Sequence, residues 1–591
     1  MAIYTSPLVD VIETDRSTYV SGIATTVANI VLRNTYKGDE MVSKLITNES
    51  ELIDTFGMPV SKVFDPSGDS KYVSSNYQDM LSAIGYLKHG NSLYCVRTMP
   101  SSATFAGVKL DDSDEYLQFD STNALTLRTE SNNGGDISDP DDLPDEVESL
   151  MGTDQIWIVS KSRGYWGNNV RVAIVDKTTQ TEIVSGGKTE WQSGNLYNIV
   201  QSLDSPIESD EDFVILVQEK PQNSSVWSLQ EIWNVSLDEN AKNDQGQTKF
   251  VENLINSNSM FIRISVSEEN HNSTVPNEWV TENFNELGGG CDYDGDEIDD
   301  ANILEAYELA ENPEDIDVNL FIDSNKSETV KKRLAEISKS RMDAMLIADV
   351  KYEHVINNKG NETVDITNWR KGILSPNFNV NSSYVAIYGN WLEVYDKYNS
   401  KYRWIPASGY VAGLYAYNDQ VTDPWFAPAG LERAVLNGVR RLAWNPNKAK
   451  RDMLYLSGIN PIVSFSGKGK AIWGQKTMLD KSSAFNRVNV RRLFMILEES
   501  IKDSSHYFVF KPNDRDTRNQ LTAMIEPFLA DVKARRGIID FLVVCDETNN
   551  TPERIDRSEL WCDIYIKPVK AAEFIRLNFI ATRAGIEFSE V

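Results

Sequence analysis

Cysteine and histidine are scarce, with four of each in 591 residues. Cys95, Cys291, Cys545 and Cys562 are too few to staple a chain of this length, so a disulfide scaffold is excluded and reduced thiols are expected. A cysteine nucleophile wants a histidine base, yet His89, His271, His354 and His506 are scattered and belong to no local signature. Zinc wants ligands paired at short spacing, and neither CxxC nor HxxxH occurs. Long apolar runs are missing as well. Nothing approaches the ~18 residues that cross a bilayer, and the opening "MAIYTSPLVDVIETD" lacks the basic-then-apolar order of a secretory leader. A soluble chain made in a cytoplasm, with no direct membrane insertion, is expected. Basic charge is lacking over most of the length: residues 1–400 hold 30 Lys+Arg against 66 Asp+Glu, and 401–591 hold 28 against 22. So acidic a front repels phosphate and excludes nucleic acid as its partner, while the basic last third suits an acidic one.

What is present reads as several folded domains. At ~150 residues per domain, the length suggests three or four, and 41% hydrophobic residues are enough for packed cores. After residue 100 the chain is rich in Asp, Ser, Asn and Gly, broken by the strand-like runs "QIWIVS" (155–160), "VRVAIVD" (170–176) and "FVILVQ" (213–218). A loop-rich, mainly β region is expected there. From about 311 the pattern becomes α/β: "DVNLFID" (317–323) is a buried strand, Ser327 caps the helix "ETVKKRLAEIS", and "DAMLIADV" (343–350) is the next, parallel strand. Leu521, Met524, Ile525, Phe528, Leu529 and Val532 define an amphipathic helix, kinked at Pro527, with Gly537 expected at C′. Near the end, "FLVVCD" (541–546), "LWCDIYIKP" (560–568) and "AEFIRLNFIAT" (572–582) read as three strands. Leu560, Cys562, Ile564 and Ile566 fall on one face, which makes the cysteine a small buried hydrophobe.

Motifs of chemistry do not survive inspection. "CDYDGDEIDD" (291–300) invites a calcium loop through Asp292, Asp294 and Asp296, but Gly295 stands fourth from Asp292 where an EF-hand needs it sixth. "GGGC" (288–291) and "SGKGKA" (466–471) match no phosphate loop. No catalytic, cofactor-binding or metal-binding residue is assigned, and nothing argues for an enzyme.

An extended set of stretches carries a family resemblance instead. "NWRKGILSPNFNVNSSYVAIYGNWLEVYDKYNSKYRWIPASGYVAGLYAYNDQVTDPWFAPAG" (368–430), "FNRVNVRRLFMILEESI" (485–501) and "CDETNNTPERIDRSELWCDIYIKP" (545–568) resemble tail sheath proteins of contractile-tailed, T-even-like bacteriophages. So do "ELIDTFGMP" (51–59), "YLKHGNSLYCVR" (86–97), "GYWGNNVRV" (164–172), "FVENLINSNSMFIRI" (250–264) and "LGGGCDYDGD" (287–296), in the family's order along the chain. At the start, "SPL" (6–8) stands where sheath proteins often read Ser-Pro-Gly.

The resemblance implies an α/β (α+β) multidomain fold with nested domains. Residues 1–22 would be an N-terminal arm joining a tube-facing inner α/β domain of 456–591. Residues 23–97 with 311–455 would form the middle sheath domain, and 98–310 an outer, acidic, mainly β insertion. It implies a structural subunit with no cofactor that polymerises as stacked hexameric rings around a tail tube and contracts to drive the tube through the host envelope. Its partners would be itself, the tail tube protein, and the baseplate and tail terminator proteins. Its place would be the virion tail, assembled in the host bacterial cytoplasm. Ile3, Tyr4, Val9, Val11, Phe574, Ile575, Leu577 and Phe579 would add strands to neighbouring subunits, and Lys533, Arg535, Arg536, Arg491 and Arg492 are candidates to face the tube. A bacteriocin or other contractile injection system is the competing reading within the class. From another class, an acidic secreted hydrolase or calcium-binding adhesin would need a secretory leader and a carboxylate pair or bound calcium.

Overall fold

A computed structural model describes residues 26–60, 76–100, 103–110, 117–118, 156–186, 195–203, 206–207, 209–222, 224–243, 245–281, 283–292, 298–574 and 576–577. Its centre is a seven-stranded sheet in the order Ile459–Asn460, Val385–Tyr388, Met345–Asp349, Leu320–Ile322, Ala28–Arg33, Leu93–Thr98, Ser43–Ile46. All neighbours pair parallel except the last strand, which is antiparallel. Parallel strands are covered on both faces and therefore read as continuous apolar runs. Alternate residues enter opposite cores. Ile30, Leu32, Leu320, Ile322, Met345 and Ile347 pack with helices Tyr77–Leu87 and Ser408–Val421. Val31, Phe321, Leu346 and Ala348 pack with helices Asp300–Glu308 and Glu328–Arg341. Ser327 caps the latter helix as expected, its hydroxyl accepting from the Val330 amide at 3.2 Å.

The two helices on the first face cross at glycines. A Cβ on Gly409 would sit 2.1 Å from the Ser82 carbonyl oxygen, and one on Gly413 would sit 2.8 Å from that of Gly85. Backbone cannot yield as a side-chain tip can, so Gly409→Ala is expected to cost about 3 kcal/mol by overpacking, read as a lowered denaturant midpoint at unchanged m-value.

Six ionic groups gather at the carboxyl ends of three central strands. Asp79 takes Arg33 Nε and Lys326 Nζ, each at 2.8 Å. Lys331 Nζ lies 3.3 Å from Asp323, which also accepts the Asp349 amide at 2.8 Å. Asp349 accepts the amides of Ala407 and Ser408, both at 2.8 Å, fastening the start of helix Ser408–Val421 to the sheet. Burial, and then Asp323, push the Asp349 carboxyl up to about 7.

Between Leu93–Thr98 and Leu320–Ile322 the chain builds two antiparallel four-stranded sheets. One runs Ile262–Val266, Ile156–Ser160, Gly107–Leu110, Leu117–Gln118, and the other Asn285–Glu286, Val170–Asp176, Asp212–Glu219, Ser228–Ser236. They share a core of Val108, Ile158, Trp166, Val172, Ile215 and Val235. The three strand-like runs expected here all form strands, and the described part of the region packs its helices against these two sheets. Arg97, fully buried, ties it to the central lobe by donating to Thr35 Oγ1 at 3.0 Å and to the Arg163 carbonyl at 2.8 Å.

A C-terminal lobe has its own core. Helices Val488–Ser505 and Arg515–Ala534 and the antiparallel pair Ile538–Val544 and Asp563–Pro568 enclose Leu493, Leu497, Leu521, Met524, Ile525, Leu529 and Val532. The expected amphipathic stripe is thus buried, with Pro527 inside the helix. The helix end differs from the expectation. Arg536, not Gly537, takes the left-handed C′ position with φ 67°, and Gly537 is C″. Its amide bonds the Val532 carbonyl at 2.9 Å while that of Arg536 bonds Lys533 at 3.1 Å, the paired closure of a Schellman end. Glycine is needed there for contact, since a Cβ would come 2.7 Å from Val532 Cγ1 and 3.1 Å from the Trp425 ring.

Candidate assembly surface

The hairpin of the C-terminal lobe is a two-stranded sheet among the described residues. Its inner side, Phe541, Val543, Ile564 and Ile566 with Cys545 and Cys562, closes over the helices. Its outer side carries Leu542 directly opposite Tyr565, 58% and 59% exposed, beside exposed Ile539. A two-stranded hairpin is marginal in water and its free edges present unpaired backbone groups. The hairpin thus combines an apolar outer face with free edges.

Among the described residues after the hairpin, Val569 donates its amide to the Gly537 carbonyl at 3.2 Å and no further strand forms. Residues 572–574 and 576–577, part of the third expected strand, are not in a strand. The chain instead crosses to the central lobe, where Glu573 accepts from Arg487 Nε at 2.5 Å and Nη2 at 3.0 Å and from Gln475 Nε2 at 3.2 Å. Beyond this clamp Phe574 and Leu577 are 87% and 74% exposed. Sequence reasoning missed Glu573; its only signal is an isolated acid between Lys570 and Arg576. Ile3, Tyr4, Val9, Val11, Ile575 and Phe579 lie outside the described residues.

The basic candidates separate sharply. Arg491 and Arg492, candidates to face the tube, are buried in the chain's own contacts. Arg492 donates to both Asp419 oxygens, at 2.8 and 2.5 Å, and Arg491 stacks 4.0 Å from the Phe485 ring centre and bonds the Tyr384 hydroxyl at 3.2 Å. The apolar periodicity of "NVRRLF" puts both on the helix face that bolts the C-terminal lobe to the central one. Lys533 is exposed but pairs with Asp540 at 2.9 Å, and Arg535 pairs with Asp423 and, at 3.5 Å, with Asp531. Arg536 is exposed with no ion-pair partner among the described residues.

The same joint holds an acidic pocket. Glu499 of helix Val488–Ser505 lines a water-sized cavity of about 20 Å³ with Asp343, Asp419 and Arg492. Burial first, then Asp317, Asp343 and Asp503, push its carboxyl up to about 7 against the opposing pull of Arg341. The folded state therefore holds this proton where the unfolded chain has lost it, and stability falls as pH rises from the ordinary glutamate range to about 7. Glu499→Gln is expected to stabilise the protein at pH 8 by about 1 kcal/mol, less than the full shift implies because the group is half-buried, and to change nothing at pH 4. Thermal melts at the two pH values read the difference.

Other acids are already spent within the fold. Asp292, buried, accepts the Tyr165 amide at 2.5 Å, and burial raises its carboxyl to about 6. No described helix is long and apolar enough to cross a membrane.

Two families match consecutive parts of the chain: the phage tail sheath protein central domain over residues 300–478 and the phage tail sheath C-terminal domain over 480–582. The tail sheath protein of Vibrio phage KVP40 is 36% identical over 398 residues, which cover 63% of this chain and 57% of that protein. The tail sheath protein of Enterobacteria phage T4 is 37% identical over 316 residues, covering 52% of this chain and 48% of that protein. The chain thus spans about half the length of these curated relatives. Its fold is similar to that of a sheath tail protein from Listeria innocua, with a TM-score of 0.51 at 10% identity over 93% of this chain and 96% of that one. Over these two stretches, in order, the chain is similar to phage tail sheath proteins.

Proposed function

We propose that this chain is the subunit of a contractile phage tail sheath, polymerising as stacked hexameric rings around the tail tube and contracting to drive the tube through the host envelope. The observation that carries this reading is the uninterrupted succession of central and C-terminal sheath domains over 300–582. The role is structural rather than enzymatic. Its partners are further copies of the chain, the tube, and the baseplate and terminator proteins, and its place is the virion tail, assembled in the host cytoplasm.

In this reading 456–591 with the arm of 1–22 faces the tube, 23–97 with 311–455 forms the middle layer, and 98–310 lies outside. The lasting link between subunits is strand addition. Ile3, Tyr4, Val9 and Val11 from one neighbour and Phe574, Ile575, Leu577 and Phe579 from another extend the two-stranded hairpin of 538–568, where main-chain hydrogen bonds supply the affinity. The released link is a set of exposed charge pairs to the tube, each contributing ~0–1 kcal/mol and so able to part together. Arg536 is its first candidate, because Lys533 and Arg535 are already neutralised within the chain. Arg536→Glu is expected to leave folding unchanged and slow assembly on tubes severalfold at low salt, with the difference shrinking at high salt. Equal assembly rates at both salts would remove Arg536 from the tube contact.

Negative-stain electron microscopy of the purified protein, alone and with tube protein, tests the whole reading. Striated tubes or stacked rings are expected; monomers that persist even with tubes present would overturn it.

A further inference from the structure

Cys545 and Cys562 were read from the sequence as buried apolar residues, and the fold does more than bury them. The ladder of the hairpin pairs Val543 with Ile564 and Val544 with Asp563, so the next opposed residues are Cys545 and Cys562. Directly opposed residues of an antiparallel pair have Cα atoms about 4.5–5.5 Å apart, within the span that a disulfide bridges without moving backbone. Both are free thiols, and each thiol interacts directly with the other. The chain on either side is already laced: Asn549 Nδ2 donates to the Val544 carbonyl at 2.6 Å, and Asn550 donates to the Trp561 carbonyl and accepts the Trp561 amide, both at 2.8 Å. Of the two, Cys562 is half-buried and Cys545 is buried, 8% exposed. Both pack in the same core as Leu521, Met524 and Ile525 of helix Arg515–Ala534.

We propose that Cys545 and Cys562 are a dithiol site that is oxidised to a cross-strand disulfide by small-molecule disulfides, closing the loop 546–561. One thiolate of the pair attacks one sulfur of the small disulfide, forming a mixed disulfide and expelling one small thiolate. The other cysteine, as its thiolate, then attacks the protein sulfur of that mixed disulfide, and the second small thiolate leaves. In sum the two protein thiols lose two electrons and two protons, and the oxidant is reduced to two thiols, which take up both protons. Cys562 lowers the thiol of Cys545 and Cys545 pushes that of Cys562 up, so the pair loses its first proton from Cys545. The site is independent of the sheath reading, because it needs only the hairpin of a single chain.

The test is incubation of the purified full-length protein with oxidised glutathione, followed by alkylation, intact mass measurement and non-reducing peptide mapping. The expected product has lost two hydrogens and carries a single crosslink between the peptides of Cys545 and Cys562, while Cys95 and Cys291 are alkylated after unfolding. In this product the amides of 538–568 are expected to exchange on the order of tenfold more slowly than in the reduced protein. Cys545→Ser is expected to stop at a stable glutathione adduct on Cys562. Four intact thiols in the wild type, a wild-type product arrested as a mixed disulfide, or a crosslink to Cys95 or Cys291 would each overturn the proposal.

Discussion

Lys326→Met is expected to lower the unfolding free energy by about 3 kcal/mol, the cost of breaking one of the two ion pairs of a buried carboxylate that keeps only Arg33. Lys326 is fully buried, its Nζ held by Asp79, and its own charge is disfavoured there: burial, then Arg33, push its pKa down to about 8. Asp79 is the reason it is tolerated. Burial alone would raise that carboxyl, but Arg33 and Lys326 hold it well below the usual carboxylate range. Three cations and three carboxylates fill the end of the sheet, so each deletion leaves an unbalanced charge that cannot reach water. The double variant Lys326→Met with Asp79→Asn removes both members of one pair, and its cost is expected to fall well short of the sum of the single costs. Guanidinium unfolding of the four proteins decides this. Additive costs would show that the six groups do not act as one network.

Deleting residues 1–15 is expected to leave a folded monomer that no longer polymerises. The described cores begin at Ala28, and the hairpin of 538–568 rests on helices of its own lobe. In the proposed assembly the deletion removes the incoming strand, with the several backbone hydrogen bonds that an added strand makes along an open edge. Loss of one such strand per contact is lost at every subunit, so the effect on polymer length is cooperative. Sedimentation and electron microscopy read the outcome, with circular dichroism confirming the fold. Polymers of normal length from the truncated chain would exclude the arm as the link.

How legible this was depended on whether a residue's role is local. The unit from Leu320 through Ser327 to Asp349 could be read because apolar runs, a capping hydroxyl and spacing are properties of neighbours in sequence. The helix Arg515–Ala534 was legible for the same reason. Its end was not, because Gly537 is required by the Trp425 ring more than a hundred residues away, which left the left-handed turn to Arg536. Arg491 and Arg492 looked like surface charge since their partners, Tyr384, Phe485 and Asp419, are set by tertiary packing. Lys326 and Asp79, 247 positions apart, look like two solvated residues until the sheet brings them together. The family resemblance filled part of this gap, and the Glu573 clamp lay beyond it.

That clamp also determines where a mechanical load would go. Between the hairpin and Leu577 the chain passes the two-pronged grip of Arg487 on Glu573. A pull on the chain after Glu573 is therefore taken up at the head of helix Val488–Ser505, whose next turn is riveted to the central lobe through Arg492 and Asp419. The hairpin strand Asp563–Pro568 lies behind the grip and is spared from being peeled off its partner one hydrogen bond at a time. Tension is routed into the ion-paired junction between the two lobes, and the hairpin stays slack.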